Sequence, residues 1–290
     1  MTAPAPVIVV HGGAGGLTDE LREHEAEYRH AIEAALTRGA EALQTGGAVD
    51  AVCAAVMEME SFPLFNAGYG AALCSDGSVE LSASVMRGSD RAAGAVAVMT
   101  RTRHPVAAAA ALLGDAEVML AGESAEAHAA ANGLEQLNPE DFVTERQRRR
   151  LAEGLTGSGQ TVGAVCLDET GLLAAATSTG GLHGQRPGRV GDSPLIGAGT
   201  WADGHVAVSC TGKGESFIRA GAARLVAALV EHGTTLEEAA HAALTEVAKC
   251  GGEGGLIAVD ARGNVTLPMS TAAMPRGVWR PGKEPVATVP

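Results

Sequence analysis

The chain has 290 residues, of which 46% are apolar and only 3% aromatic, and its formal net charge is −13. Its length accommodates one large domain or two small ones, with a core filled mainly by alanine, valine and leucine. The negative charge argues against a nucleic-acid surface and against binding to anionic membranes, since phosphate binding requires clustered lysine and arginine.

The cysteines and the beginning of the chain favour a cytoplasmic protein. The five cysteines are widely spaced without a C-x-x-C pair, a pattern typical of reduced core thiols rather than disulfides or a zinc site. The first residues include no basic segment of the kind that opens a secretion signal, and no apolar run reaches the ~18 residues of a membrane span.

The first predicted strand, residues 7–10, leads into a glycine-rich loop, residues 11–16. The loop has neither G-x-G-x-x-G nor a G-K-[ST] ending, so we expect its glycines to allow a close approach to another part of the chain rather than to bind a nucleotide. His11 is more typical of a core histidine than of a catalytic one. Apolar periodicity then predicts helices at residues 20–44 and 48–59.

An ordered loop and short strands are predicted next. Residues 61–70 combine glycine and asparagine, which suit positive φ, with carbonyls that would bind a monovalent cation. The Asp76-Gly77 pair is typical of a hairpin turn. Strands are expected at residues 71–74, 79–86 and 94–99.

The helices that end the first half carry the densest basic run of the chain. Two or three helices are predicted between Pro105 and Leu151, and the basic run lies at residues 146–150. A solvent-exposed face or a contact between subunits is its preferred interpretation. The linker that follows, residues 152–160, is mostly polar with three glycines, and we expect it to be flexible or strained.

The second half repeats the order of strands, helices and strands. Strands are predicted at residues 161–168, 172–176, 205–210, 255–260 and 265–268, and helices at 216–232 and 236–249, with an irregular stretch at 178–204. Because strands precede helices in both halves, we expect an α+β fold rather than βαβ alternation. Its helices should cover the outer faces of two packed sheets.

Thr161, at the start of a β-branched run, has two interpretations. In an intact chain it is an ordinary strand residue, which this segment by itself favours because β-branched residues prefer strands. If the chain is cut before Thr161, its hydroxyl becomes a nucleophile that carries its own base. The new α-amino group has an unperturbed pKa of about 7.7–8.0, near working pH.

Three other polar segments of the second half each have two interpretations, one catalytic or substrate-binding and one purely structural. A hydroxyl of residues 177–179 would lie beside Thr161, although threonine is common at strand ends. Arg189 and Asp192 would grip a zwitterion through its two charges, or they form a plain ion pair, which is the simpler interpretation. Thr211 and Gly212 would stabilise an oxyanion, or Thr211 caps the following helix.

Together these motifs resemble the plant-type L-asparaginase/isoaspartyl aminopeptidase family. The motifs occur in the same order as in that family, and they span nearly the whole chain. They lie at residues 11–16, 63–70, 161–165, 177–181, 187–194 and 210–215.

The resemblance implies an N-terminal-nucleophile hydrolase with a four-layer αββα sandwich, formed as a single domain by residues 1–290. Such a precursor cuts itself, here between Gln160 and Thr161, into an α-subunit of residues 1–160 and a β-subunit of residues 161–290. The implied assembly is a homodimer of αβ units. The implied substrates are L-asparagine and β-aspartyl (isoaspartyl) dipeptides, from which L-aspartate is released without a catalytic cofactor.

The resemblance also implies roles for individual residues. Thr161 resembles the family's nucleophile, Thr179 the threonine beside the new amine, and Asn66 the asparagine that approaches the nucleophile. The oxyanion hole would be Thr211 and Gly212, and the substrate-binding residues would be Arg189, Asp192, Gly212 and Gly214. A structural sodium ion would be bound by the backbone carbonyls of Met59, Glu60, Phe62, Phe65, Ala67 and Tyr69.

Some positions depart from the family's pattern. Gln160 stands where glycine usually precedes the nucleophile, which argues against rapid self-cleavage because glycine tolerates strained backbone better. The other departures are Ser82, Arg87, residues 183–186, Lys213 and residues 269–274. Since most of these would lie around the substrate, we expect them to affect specificity.

Two alternative functions remain open on this sequence. A glycosylasparaginase or a taspase-like endopeptidase would take a bulkier substrate, but both usually have aspartate where this chain has Gln160. A homologue that is never cut would bind an amino acid or a partner without turnover.

Overall fold

A computed structural model describes residues 4–154 and 160–290, so that residues 155–159 of the predicted linker lie outside the described part. Strands β1 to β12 are Val7–His11, Leu81–Arg87, Ala93–Met99, Met119–Ala121, Thr161–Leu167, Leu173–Thr179, Thr200–Ala202, Val206–Gly212, Gly254–Asp260, Val265–Thr266, Arg276–Trp279 and Val286–Thr288. Helices α1 to α9 are Asp19–Glu23, Glu25–Thr45, Ala48–Glu60, Pro105–Ala111, Glu123–Ala131, Glu145–Ala152, Gly214–Ala220, Ala222–Glu231 and Leu236–Lys249, and a 3₁₀ helix covers Pro139–Phe142.

The strands form two sheets, in agreement with the predicted α+β fold. The eight-stranded sheet has the order β12-β11-β1-β5-β6-β2-β3-β4, and the four-stranded sheet has the order β10-β9-β8-β7. In the larger sheet β5 and β6 are antiparallel neighbours, and Thr161 at the start of β5 pairs with Thr179 at the end of β6. This register brings the two threonines of separate motifs side by side.

Three apolar clusters hold the sheets and helices together. One joins α2, α3 and α4 to the larger sheet, and a second joins α8 and α9 to the smaller sheet. A third lies between the sheets, with Val9 and Val165 from one and Ala207 and Ile257 from the other. Alanine is frequent in all three clusters, as the scarcity of aromatic residues predicted.

Most of the predicted elements are present, but several differ from their predictions. The helix predicted at residues 20–44 is broken at His24 into α1 and α2. Residues 71–74 are not a strand and contribute only an isolated bridge between Leu73 and Val79. The helix predicted at 216–232 is divided into α7 and α8 by Gly221, whose left-handed backbone (φ 57°) ends α7. Strands β4, β7, β11 and β12 were not predicted, because segments of three or four residues show no periodicity of their own.

The structure describes the state of the cysteines and the length and polarity of the helices. All five cysteines are free, and Cys74, Cys166 and Cys210 are buried. Among the described residues, every helix is too short or too polar to cross a membrane.

Candidate active site

Thr161 is buried at the start of β5, with a side chain that contacts few polar groups. It is 6% exposed, and its Oγ1 lies 3.3 Å from Ser193 Oγ. Its backbone N–H donates to Thr211 Oγ1 over 3.4 Å. The hydroxyl is therefore held next to the peptide bond that precedes it, in a site largely shielded from water.

The carbonyl of Gln160, which belongs to that peptide bond, accepts two side-chain hydrogen bonds. Asn66 Nδ2 donates to it over 2.8 Å and Thr179 Oγ1 over 3.3 Å. Asn66 is itself fixed, because its Nδ2 also donates to the carbonyl of Gly181 and its Oδ1 accepts the N–H of Ala72. Two fixed donors on one carbonyl oxygen are the arrangement that stabilises developing negative charge there.

The glycine-rich loop makes room for Gln160. Gly13 has φ 106°, and a Cβ added to it would lie 2.3 Å from Gln160 Cβ. The predicted close approach of this loop to another part of the chain is thus confirmed, and the approaching residue is the one that departs from the family's usual glycine.

His11, at the start of the same loop, behaves as a core residue. It is fully buried, and its Nε2 lies 3.0 Å from Ser209 Oγ on β8. Burial lowers the pKa of His11 to about 3, despite the opposing effect of a backbone hydrogen bond with Thr161. The imidazole is therefore neutral at physiological pH and joins the two sheets rather than exchanging protons.

Thr211 points its hydroxyl toward Thr161 and does not cap a helix. Its Oγ1 accepts the N–H groups of Ala14, over 3.1 Å, and of Thr161, which leaves its hydroxyl hydrogen free to be donated. Helix α7 begins after Lys213, which forms no side-chain cap. The capping interpretation of Thr211 is therefore wrong.

Gly212, next along the chain, occupies a position that only glycine fits. Its φ is 146°, and an added Cβ would lie 2.4 Å from the carbonyl oxygen of Glu253. Thr211 thus places a hydroxyl beside Thr161, and Gly212 leaves the backbone that follows it unobstructed.

Arg189 and Asp192 do not pair with each other. Arg189 Nε donates to Glu215 Oε1 over 3.0 Å, and its Nη2 lies equally close to that oxygen without hydrogen-bond geometry. Asp192 is 3% exposed, and burial raises the pKa of its carboxyl to about 7, against the smaller opposing effects of a backbone hydrogen bond and Arg189. The simple ion-pair interpretation is therefore wrong.

The Arg189 and Asp192 side chains each keep one atom without a hydrogen-bond partner among the described residues, and both side chains border the space beside Gly214. These atoms are Arg189 Nη2 and Asp192 Oδ2, and both are buried. A Cβ on Gly214 would lie 2.8 Å from Asp192 Oδ1 and 3.0 Å from Arg189 Nη2. One cationic donor and one acidic acceptor are thus available to an α-carboxylate and an α-ammonium group.

A cavity of about 520 Å³ opens beside Gln160. Its lining includes Asn66, Gln160 and Gly212, together with three of the departures from the family's pattern, His183, Lys213 and Thr271. Two other departures lie elsewhere. Arg87 pairs with Asp90 at the surface, and Ser82 Oγ accepts the N–H of Val98.

The basic run at residues 146–150 is not simply a solvent-exposed face. Arg148 and Arg149 are exposed, but Arg146 and Arg150 line the cavity, and both pair with Glu20. The helix therefore directs two of its arginines inward. The expectation of a solvated face is wrong for Arg146 and Arg150.

Sequence reasoning missed Ser193 and Glu215, which contact the predicted site residues. Ser193 follows Asp192 directly and reaches the Thr161 hydroxyl, whereas Glu215 holds Arg189. Glu215 lies in the same motif as Thr211, which was a signal that it is near the site. The sequence alone does not decide whether Arg189 pairs with Asp192 or with Glu215.

Comparisons with known proteins agree with these motifs. A family model described as asparaginase matches residues 4–160 and 153–287. The isoaspartyl peptidase of Escherichia coli (strain K12) is 44% identical over 306 residues, covering 98% of this chain and 95% of that protein. The isoaspartyl peptidase/L-asparaginase of Bos taurus is 41% identical over 292 residues, covering 96% and 94%, and that of Homo sapiens is 40% identical with the same coverage. Because the family model and these relatives span nearly all of it, the chain belongs to the asparaginase family.

Proposed function

We propose that this protein is a self-processing threonine hydrolase that releases L-aspartate from β-aspartyl dipeptides and L-asparagine. The observation that carries the proposal is the buried Thr161 hydroxyl beside a Gln160 carbonyl that accepts hydrogen bonds from Asn66 and Thr179. The names of the relatives, isoaspartyl peptidase and L-asparaginase, support the substrate class.

The proposed fold is a four-layer αββα sandwich in which residues 1–290 form a single domain. The three apolar clusters support it, since one lies between the sheets and the other two join helices to each sheet. This arrangement places Thr161 on a strand at the centre of the larger sheet, where its neighbours are fixed on both sides.

The proposed self-cleavage uses groups that are already in contact. Thr161 Oγ1 attacks the carbonyl carbon of Gln160, the C–N bond breaks, and the hydroxyl proton ends on the Thr161 nitrogen. Water then hydrolyses the resulting ester, which gives a Gln160 carboxylate and restores the Thr161 hydroxyl. Asn66 and Thr179 stabilise the oxyanion during the attack. The products are an α-subunit, residues 1–160, and a β-subunit, residues 161–290.

In the proposed reaction on substrate, the new α-amino group of Thr161 takes the proton of its own hydroxyl. The hydroxyl attacks the side-chain carbonyl of the aspartyl unit, and the hydroxyl of Thr211 and the backbone of Gly212 stabilise the oxyanion. The departing amine takes the proton from the Thr161 ammonium group. Water, activated by the same amine, then hydrolyses the acyl-enzyme and frees L-aspartate.

Recognition in this proposal depends on the two charges of the aspartyl unit. Arg189 binds the α-carboxylate through its free Nη2, and Asp192 binds the α-ammonium through its free Oδ2. Gly214 keeps the space between these side chains and the substrate open. A substrate without a free α-amino and α-carboxyl group at its aspartyl unit would lose the contact with Arg189 and would leave Asp192 without a partner.

A denaturing mass spectrum and a product assay test the proposed function together. Freshly purified and aged protein should show two fragments that meet at Gln160/Thr161, and the cut protein should release L-aspartate from a β-aspartyl dipeptide and from L-asparagine. A chain that stays whole, and that binds L-aspartate without turning over either substrate, would instead identify a binding protein.

The space that Gly13 leaves for Gln160 provides a prediction about self-cleavage. Gly13→Ala should slow the cut at Thr161 at least about tenfold, because the new Cβ would collide with Gln160 Cβ and displace the carbonyl from Asn66. Gly16→Ala is the matched control, since an added Cβ there meets nothing within 4 Å. Time courses of fragment formation measure both variants, and equal rates would show that the contact does not position the scissile bond.

A sodium ion is proposed in the loop that follows α3. Two glycines of this loop let the chain pass close to backbone carbonyls: a Cβ on Gly68 would lie 2.5 Å from the oxygen of Glu60, and one on Gly70 would lie 2.9 Å from that of Phe65. Backbone carbonyl oxygens are the kind of ligand that a hard cation prefers. The melting temperature should then be higher in sodium chloride than in choline chloride at the same ionic strength, whereas equal values would argue against the ion.

Assembly and location complete the proposal. We expect a cytoplasmic homodimer of αβ units, in keeping with the family resemblance and with the free cysteines. Sedimentation of the cut protein would test the homodimer, since a mass of one αβ unit would contradict it.

A further inference from the structure

One wall of the cavity carries an excess of positive charge. Glu20 accepts hydrogen bonds from Arg146 Nη2 and from Arg150 Nη1, each over 3.0 Å, so that one carboxylate serves two guanidinium groups. The two arginine side chains are only 20% and 21% exposed. This Glu20–Arg146–Arg150 cluster therefore has a net positive formal charge in a partly desolvated position.

The same wall has hydrogen-bonding atoms without partners. Arg150 Nε and His183 Nδ1 are buried and form no hydrogen bond among the described residues. His183 is near the two guanidinium groups, because after burial they contribute most to lowering its pKa, to about 4. Buried polar groups are nearly always satisfied in native proteins. Because Arg150 Nε is always a donor, its unpaired N–H indicates that a ligand with an acceptor oxygen completes this wall.

The wall does not depend on the linker that self-cleavage would release. Arg146 Nη1 donates to the carbonyl of Leu64 over 3.2 Å, and Gln147 donates to the carbonyl of Gly70. Thr144 caps the beginning of α6 by accepting the N–H of Gln147. Helix α6 is thus attached to α1 and to the loop before β2, and these attachments lie before the cut.

The position of the wall assigns it to the leaving half of a substrate. Gln160 and Gly212 line the cavity together with Arg146 and Arg150, whereas Arg189 and Asp192 are not among its described lining residues. The aspartyl half would be held by Arg189 and Asp192. The cavity beyond the scissile bond then receives the part that departs with the amine.

We propose that the Glu20–Arg146–Arg150 cluster binds the α-carboxylate of the amino acid that leaves. The substrates selected are β-aspartyl dipeptides whose second residue has a free carboxylate, in preference to amidated dipeptides. The inference rests on the proposed hydrolase function and names the substrate class of that site. Leu64, Leu182 and Tyr28 line the same cavity and suit an apolar side chain on that second residue.

The test compares two substrates that differ only in this carboxylate. Wild-type cut protein should have a kcat/KM for β-aspartyl-leucine about tenfold higher than for β-aspartyl-leucinamide, as expected for one charge-assisted hydrogen-bonded contact. Arg150→Gln should reduce this ratio to about two or less, chiefly through KM of the acid. Arg149→Gln is the matched control, because Arg149 is exposed on the same helix, and its ratio should equal that of the wild type.

Turnover of L-asparagine separates the two ways in which the inference would fail. A wild-type ratio near one, with L-asparagine still hydrolysed, overturns the carboxylate site and leaves the hydrolase standing. An unchanged tenfold ratio in Arg150→Gln also overturns it. Protein that releases L-aspartate from no substrate contradicts both proposals. If Arg150→Gln does not fold, the test is the wild-type ratio of kcat/KM for β-aspartyl-leucine to that for β-aspartyl-leucinamide, measured at low and high salt. We expect this ratio to fall severalfold at high salt, and a constant ratio overturns the site.

Discussion

Thr161→Ala is expected to keep the chain at its full length and to abolish hydrolysis of both L-asparagine and β-aspartyl dipeptides. The substitution removes the only group proposed to attack both the Gln160 carbonyl and the substrate, and it leaves Asn66 and Thr179 in place around that carbonyl. Activity should fall by more than about 10³-fold relative to cut wild-type protein, as for removal of other nucleophiles. Denaturing mass spectrometry and L-aspartate release measure the two losses separately.

Two further variants locate the cause of that loss. Thr161→Ser retains a hydroxyl and should still be cut between residues 160 and 161, whereas Thr37→Ala, an exposed threonine on α2, should behave as wild type. A Thr161→Ala chain that is still cut at this bond would place the nucleophile elsewhere. Ser193 would then be the first residue to substitute, because its Oγ lies 3.3 Å from Thr161 Oγ1.

The parts of the fold that the sequence predicted are those with a strong local signal. Helix α9 has an apolar stripe and a capping box, in which Thr235 Oγ1 accepts the N–H of Glu238 and the Glu238 carboxylate accepts the N–H of Thr235. Strand β7, of three residues, exists because it pairs with β8. No local pattern marks such a strand, since its stability comes from a partner elsewhere in the chain.

The sequence predicted which residues belong to the candidate site, but not which of them form ion pairs with each other. Motif positions indicated Arg189 and Asp192, yet the acidic partner of Arg189 is Glu215, which lies on the next helix. Arg146 turns inward because Glu20, 126 residues earlier in the chain, lies beside it. Ion pairs between such distant residues depend on how the layers pack, and sequence periodicity carries no information about that.

Asp192 provides a test of the site that does not require substrate. Burial raises the pKa of its carboxyl to about 7 in the folded protein, whereas an unfolded aspartate titrates near 3.9. Between these values the native state binds more protons than the unfolded state, so this group lowers stability as the pH rises from about 4 to about 7. Asp192→Asn should therefore melt at a higher temperature than wild type at pH 8, with a much smaller difference at pH 4, and exposed Asp115→Asn should show no such trend.

Ionisation of the Asp192 carboxyl should also dominate the pH dependence of catalysis. It lowers stability as the pH rises, but it should raise kcat/KM. Binding of the substrate ammonium needs ionised Asp192, so kcat/KM should rise with pH and level off above about 7. In the bound complex the substrate ammonium keeps Asp192 ionised to lower pH, so the rise with pH that is due to Asp192 should be absent from kcat. Titration of the Thr161 amine would instead affect both kcat and kcat/KM. Asp192→Asn should lower kcat/KM by roughly 10²-fold and remove the rise that is due to Asp192. Any rise with pH that remains in the variant and also appears in kcat belongs to the Thr161 amine. A kcat/KM–pH profile identical to that of the wild type would show that Asp192 contributes nothing to recognition as a charge.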